Sequence, residues 1–150
     1  MNKADVENDI RYELGQLRLL AQRSAELAAL PAAQRELWEC MAAAKLVADF
    51  YMGCENLIKR HHRSVGIAIV EAPDSHTRLL RDFLEDPNLG ARLSSESRER
   101  LELYLRFRHR FVHGYGFEVK WETVEEPLRL IPETVELIAE VWEHWLAALP

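Results

Sequence analysis

The stretch Arg106-Phe107-Arg108-His109-Arg110-Phe111-Val112-His113-Gly114-Tyr115-Gly116 closes a helical pattern that begins near Ser94. Leu101, Tyr104, Leu105, Arg108 and Val112 recur at steps of three and four, the spacing of one helix face. Arg108 therefore stands where the period asks for an apolar residue. Around it lie Arg106, Arg110, His109 and His113. The negative end of a helix dipole favours cations there. That accounts for one or two arginines on the surface, but not for one on the apolar stripe. Gly114 and Gly116 supply a helix stop, with Tyr115 between them.

Working outward, the pattern remains helical almost everywhere. Val6, Ile10, Leu14, Leu17 and Ala21 form one face of a segment from Lys3 to Ala29, which Pro31 ends. A second segment, from near Ala33 to about Arg63, carries a broad apolar surface. Leu37, Met41, Ala44, Ala48 and Tyr51 make one side, and Cys40, Ala43, Val47, Phe50, Cys54 and Leu57 the other. Such breadth predicts a central helix packed by several neighbours. Val65 to Val70 is β-branched, but a lone strand has nothing to pair with, so a helix continuation or packed turn is expected. Asp74 or Ser75 is expected to cap a short helix through Leu84, and Asp86-Pro87-Asn88-Leu89-Gly90 to break the chain. Beyond Gly116, residues 121–148 read as helical with interruptions. Pro127 fits a first helical turn, whereas Pro132 kinks or divides the segment. The expected fold is all-α: one domain over residues 1–150, an up-and-down bundle of about four to six helices.

Composition sets limits. Hydrophobic residues make up 48% of the 150, enough for a core and incompatible with a disordered chain. The net charge of -6 excludes a general polyanion binder, so any nucleic-acid site must be local. Cys40 and Cys54 lie fourteen residues apart on one expected helix, ~21 Å along its axis and too far for a disulfide. Reduced thiols, a polar N-terminus without signal-peptide character, and no run of ~20 apolar residues all fit the cytoplasm and no membrane partner. The run Lys59-Arg60-His61-His62-Arg63 reads either as a solvated helix end or as a phosphate-binding surface.

Arg108, four residues, His113, one residue and Tyr115 together resemble the Arg-x4-His-x-Tyr signature of HEPN-domain ribonuclease toxins of the HepT type. Two further stretches are similar to segments of such proteins: residues 49–60 (DFYMGCENLIKR) and 74–80 (DSHTRLL). The resemblance spans roughly Val6 to Leu146. It implies a HEPN-like bundle acting as a homodimer, with the active site at the interface of two helical domains. It also implies a metal-independent endoribonuclease that needs no cofactor: the toxin of a type VII-like pair whose antitoxin is a minimal nucleotidyltransferase. Tyr115 would be the residue to which that partner attaches AMP. His109 departs from the pattern, since many members carry Asn or Asp there.

The chemistry is consistent with those residue types. The RNA 2′-hydroxyl is an internal nucleophile, so cleavage needs a group to take its proton and another to protonate the leaving oxygen. It also needs cations to stabilise the charge on the phosphorane-like transition state. Histidine can serve in either proton-transfer role, and arginine presents a fork to phosphate oxygens. Arg108 and His113 are the expected catalytic pair, with His109 and Arg110 auxiliary. Five residues along a helix leave Arg108 and His113 ~140° apart. Either the helix ends before His113, or a two-fold dimer brings two copies of the pair into one cleft. Other readings remain for each residue: a salt bridge to a glutamate for Arg108, a helix cap for His113, packing for Tyr115. His109 and His113 have metal-ligand spacing, but no third ligand is in register. Phe107, Phe111, Phe117 and Trp121 could stack bases, yet suit core or dimer contacts better. The rival class is a non-catalytic HEPN protein that holds a nucleotide or a protein partner.

Overall fold

The computed structural model describes residues 2–150. Six α-helices follow in order: α1 (Lys3–Ala28), α2 (Leu37–Val65), α3 (Ser75–Glu85), α4 (Ser95–His113), α5 (Trp121–Arg129) and α6 (Ile131–Ala147). Short 3-10 turns occupy Ala32–Gln34, Gly90–Arg92 and Gly116–Glu118, and no strand occurs among the described residues. None of these helices is long and apolar enough to cross a membrane.

Cross-helix contacts fix the directions. Arg11 bonds Glu143 and Arg18 lies 3.6 Å from Glu136, so α1 and α6 are antiparallel. Arg60 reaches Asp9 and Glu13, while a Cβ at Gly53 would meet Leu17, so α2 runs back along α1. Glu55 faces Arg108, and Met41 lies beside Gly116, so α4 runs antiparallel to α2. The result is an up-down-up-down bundle. The 66–74 loop doubles back along α2, so that α3 starts beside Glu55 at His76 and ends near His62 at Asp82.

The second helix is the axis of the core, and α1, α3, α4 and α5 all pack on it. Ala43, Ala44, Val47, Phe50 and Leu57 are wholly buried. Gly53 lets α1 and α2 approach: an added Cβ would stand 2.5 Å from Leu17 Cδ2. Burial also explains the thiols, since Cys40 and Cys54 are free and inside, and desolvation pushes both pKa values up. Phe50 and Tyr104 meet edge to face at 4.7 Å, and the Tyr104 hydroxyl donates to the Pro127 carbonyl at 2.7 Å. That bond ties α4 to α5.

Three local expectations need correction. Pro127 lies well inside α5, because Trp121, Val124 and Leu128 bury one face and start the helix six residues earlier. The segment is divided in two at Leu130, as expected, and Pro132 occupies the first turn of α6, where its missing N–H costs nothing. Val65 ends α2, and Ile67 and Val70 are exposed, so residues 66–70 form an irregular surface loop and not a packed turn. The run Lys59–Arg63 is not a wholly solvated helix end. His61 and His62 are buried, with His61 against Trp142 and Trp145, and Arg60 is held by Asp9 and Glu13.

Candidate functional site

Ser94 caps α4, its hydroxyl accepting from the Ser97 N–H at 3.1 Å. The helix then runs unbroken through His113, and the Gly114 N–H donates to the Arg110 carbonyl at 2.9 Å. Gly114 has φ -103, a conformation open to any residue, so the stop does not draw on glycine's left-handed freedom. Because the helix does not end before His113, Arg108 and His113 keep the wide angular separation of an ideal helix. Within one chain, Arg108 turns inward and His113 outward.

Ser97, Leu101, Tyr104 and Phe107 are the buried residues of α4, and Arg108 lies half-buried beside them. Val112, on the same expected stripe, is 56% exposed. Arg108 Nε sits 3.9 Å from Oε1 of Glu55, whose side chain is only 3% exposed. The other Glu55 oxygen accepts from His76 Nδ1 at 2.5 Å. One buried carboxylate thus joins three helices: α2 through Glu55 itself, α3 through His76 and α4 through Arg108. Tyr51 lies one turn before Glu55, and its buried hydroxyl has no hydrogen-bond partner. Burial first, then the neighbouring Glu55, raises the Tyr51 pKa far above the usual phenol value. This tyrosine is a neutral, buried neighbour of Glu55.

A cleft of about 600 Å³ opens over this group. His76, Thr77, Arg106, Arg108, His109 and Arg110 line it. Arg106 and Arg110 are exposed and make no salt bridge among the described residues, so their charge is available to an anion. The structure therefore brings Arg108, His109 and Arg110 into one cleft, and leaves His113 at its edge. The His113 and His109 rings meet edge to face at 4.5 Å. Among the described residues no group of three or more His, Cys, Asp or Glu side chains is arranged to hold a metal ion.

Tyr115 is 70% exposed and stacks on Phe117 at 5.3 Å. Val112 and Phe117 are exposed as well. The four aromatics considered from sequence divide. Phe107 and Trp121 belong to the core, Phe111 stacks on Phe107 at 6.4 Å, and Phe117 alone is fully presented to solvent.

Sequence reasoning did not single out Glu55 and His76. Glu55 carried the same signal as Arg108: it follows Val47 and Tyr51 at steps of four on an otherwise apolar face. His76 lay in a stretch noted for its resemblance, but nothing local indicates that the preceding loop returns it to α2.

A family model described as HepT-like protein matches residues 42–149. No curated protein and no solved structure matches the chain.

Proposed function

The chain belongs to the HepT-like family, and from that premise we propose that it is the endoribonuclease toxin of a toxin–antitoxin pair. Its active site is composite, formed where two copies meet at the end of α4. The observation that carries this reading is the direction of the two key side chains. Arg108 lies in a cationic cleft, while His113 faces solvent from the same unbroken helix beside exposed Val112, Tyr115 and Phe117. A second copy docked on that surface sets His113 of one chain over the Arg108 cleft of the other. Arg108, with Arg106 and Arg110, binds the scissile phosphate and its developing charge. His113 transfers a proton. His109 orients His113 through its ring contact.

Tyr115 is the control point of this proposal. Its exposed hydroxyl can enter the active site of a partner nucleotidyltransferase and accept AMP. The added phosphate then occupies the cationic cleft and repels RNA. One observation favours the rival, a HEPN protein that only binds nucleotide or a partner: Glu55 already offsets part of the Arg108 charge.

Cleavage and mass separate the two. The purified protein should cut RNA in the presence of EDTA, and His113→Ala should lose ~10²–10⁴ of that rate. Treatment with the cognate nucleotidyltransferase and ATP should add AMP mass and silence wild type, whereas Tyr115→Phe should stay unmodified and active. Binding of RNA or nucleotide with no cleavage by wild type would select the rival.

A further inference from the structure

The proposed chemistry needs two proton transfers, and an arginine that stays charged can perform neither. His113 supplies one. We propose that His76 is the second proton-transfer residue, the general base for the 2′-hydroxyl, and that Glu55 is its positioning residue; this rests on the ribonuclease reading above.

The geometry is that of a carboxylate-held histidine. Glu55 is buried and its Oε2 accepts from His76 Nδ1 at 2.5 Å. A carboxylate oxygen accepts and does not donate, so Nδ1 carries a proton, and in the neutral ring the lone pair is on Nε2. Nε2 has no hydrogen-bond partner among the described residues. The His76 side chain is 36% exposed and lines the same cleft as Arg108, Arg106 and His109. The ring is therefore fixed at one nitrogen and open at the other, on the wall of the phosphate-binding cleft. Glu55 also faces Arg108 with its second oxygen, so the base and the phosphate-binding cation share one anchor. A simple structural ion pair has no need to hold its histidine at the mouth of a cationic cleft.

The step balances without a further reactant. The 2′-hydroxyl proton passes to Nε2 of His76 as the 2′-oxygen bonds phosphorus. The bond from phosphorus to the 5′-oxygen breaks, and that oxygen takes a proton from His113 of the second copy. The products are a 2′,3′-cyclic phosphate and a 5′-hydroxyl. The imidazolium formed on His76 is stabilised by Glu55 and then returns its proton to water, from which His113 takes back the proton it gave. A buried carboxylate bonded to Nδ1 performs that duty in other histidine-based sites.

The experiment uses single-turnover cleavage of a short RNA by the intact protein, with melting curves as the fold control. His76→Ala should slow cleavage ~10²–10³-fold and remove the acid-side limb of the rate–pH profile. Added imidazole should restore part of the lost rate. His76→Gln, whose amide can still donate to Glu55, should fold as wild type and be equally slow. On an RNA whose leaving 5′-oxygen is replaced by sulfur, the His113→Ala defect should largely vanish, since a thiolate leaves unprotonated, while the His76→Ala defect should persist. Folded His76→Ala and His76→Gln proteins that cut at the wild-type rate, beside an inactive His113→Ala, overturn this assignment alone. A loss in His76→Ala that imidazole does not relieve, with the pH profile unchanged, likewise reduces His76 to scaffolding. If wild type and His113→Ala behave alike, the ribonuclease reading fails and this inference fails with it.

Discussion

Arg108→Ala separates the catalytic role of this residue from its structural one. Arg108 Nε lies 3.9 Å from a Glu55 carboxylate that is 3% exposed. Two unit charges ~4 Å apart attract by roughly 4 kcal/mol at an effective dielectric of ~20. Most of that is offset by the cost of desolvating a half-buried guanidinium, and Glu55 keeps its bond to His76 when Arg108 is removed. The carboxylate is therefore not orphaned, and the net loss of stability should be about 1–2 kcal/mol. At roughly 2–4 °C per kcal/mol for a chain of this size, the melting temperature should fall by about 2–8 °C. Loss of a group that stabilises transition-state charge is worth ~10²–10³ in rate. The assay pairs thermal melting with single-turnover RNA cleavage at a temperature where every variant is folded. Arg108→Lys keeps the charge without the planar fork, so it should melt close to wild type and still lose part of the rate. A melting temperature lowered by more than ~10 °C, with an unchanged rate in the folded protein, would refute this reasoning and leave Arg108 a purely structural partner of Glu55.

Two other outcomes test the scaffold. Arg60 bonds Glu13 at 2.8 Å and Asp9 at 3.1 Å, so Arg60→Ala strands a nearly buried carboxylate. It should cost about 2–3 kcal/mol by chemical denaturation, below the ~3–5 of a fully buried pair, and leave cleavage untouched. His61 is buried against Trp142 and Trp145, and its pKa is lowered, by burial first and then by His62. A histidine whose folded pKa is depressed binds its proton more readily when unfolded, so its contribution is present above pH ~6.5 and lost as pH falls below that. Melting temperatures should drop between pH 7 and pH 5, and His61→Leu should show a smaller drop; an equal drop in both would place the titration elsewhere.

The bundle was legible because apolar periodicity is long and regular in four of the helices. Where tertiary packing competes with local chemistry, the sequence misleads. Pro127 reads as a helix start, yet the buried face of Trp121, Val124 and Leu128 outweighs the one hydrogen bond a proline forgoes. The cations of Lys59–Arg63 read as solvated because nothing in that run reveals that α1 supplies Asp9 and Glu13, or that α6 lays two tryptophans on His61. In the site, Arg108 was found as a charge on an apolar stripe, and Glu55 was open to the same test. His76 was not, because its place depends on how far the 66–74 loop doubles back along α2. The angular separation of Arg108 and His113 follows from helix geometry alone, and α4 remains helical through both.

That separation gives the most direct test of the composite site. Arg108→Ala and His113→Ala proteins, each inactive alone, are mixed, allowed to exchange subunits, and assayed for RNA cleavage. If Arg108 of one copy works with His113 of the other, each mixed dimer holds one complete pair of a possible two. With mixed dimers about half of the population, the mixture should recover roughly a quarter of the wild-type rate. A mixture that stays as inactive as its components, although mass measurement shows that subunits have exchanged, would contradict a site shared between two copies.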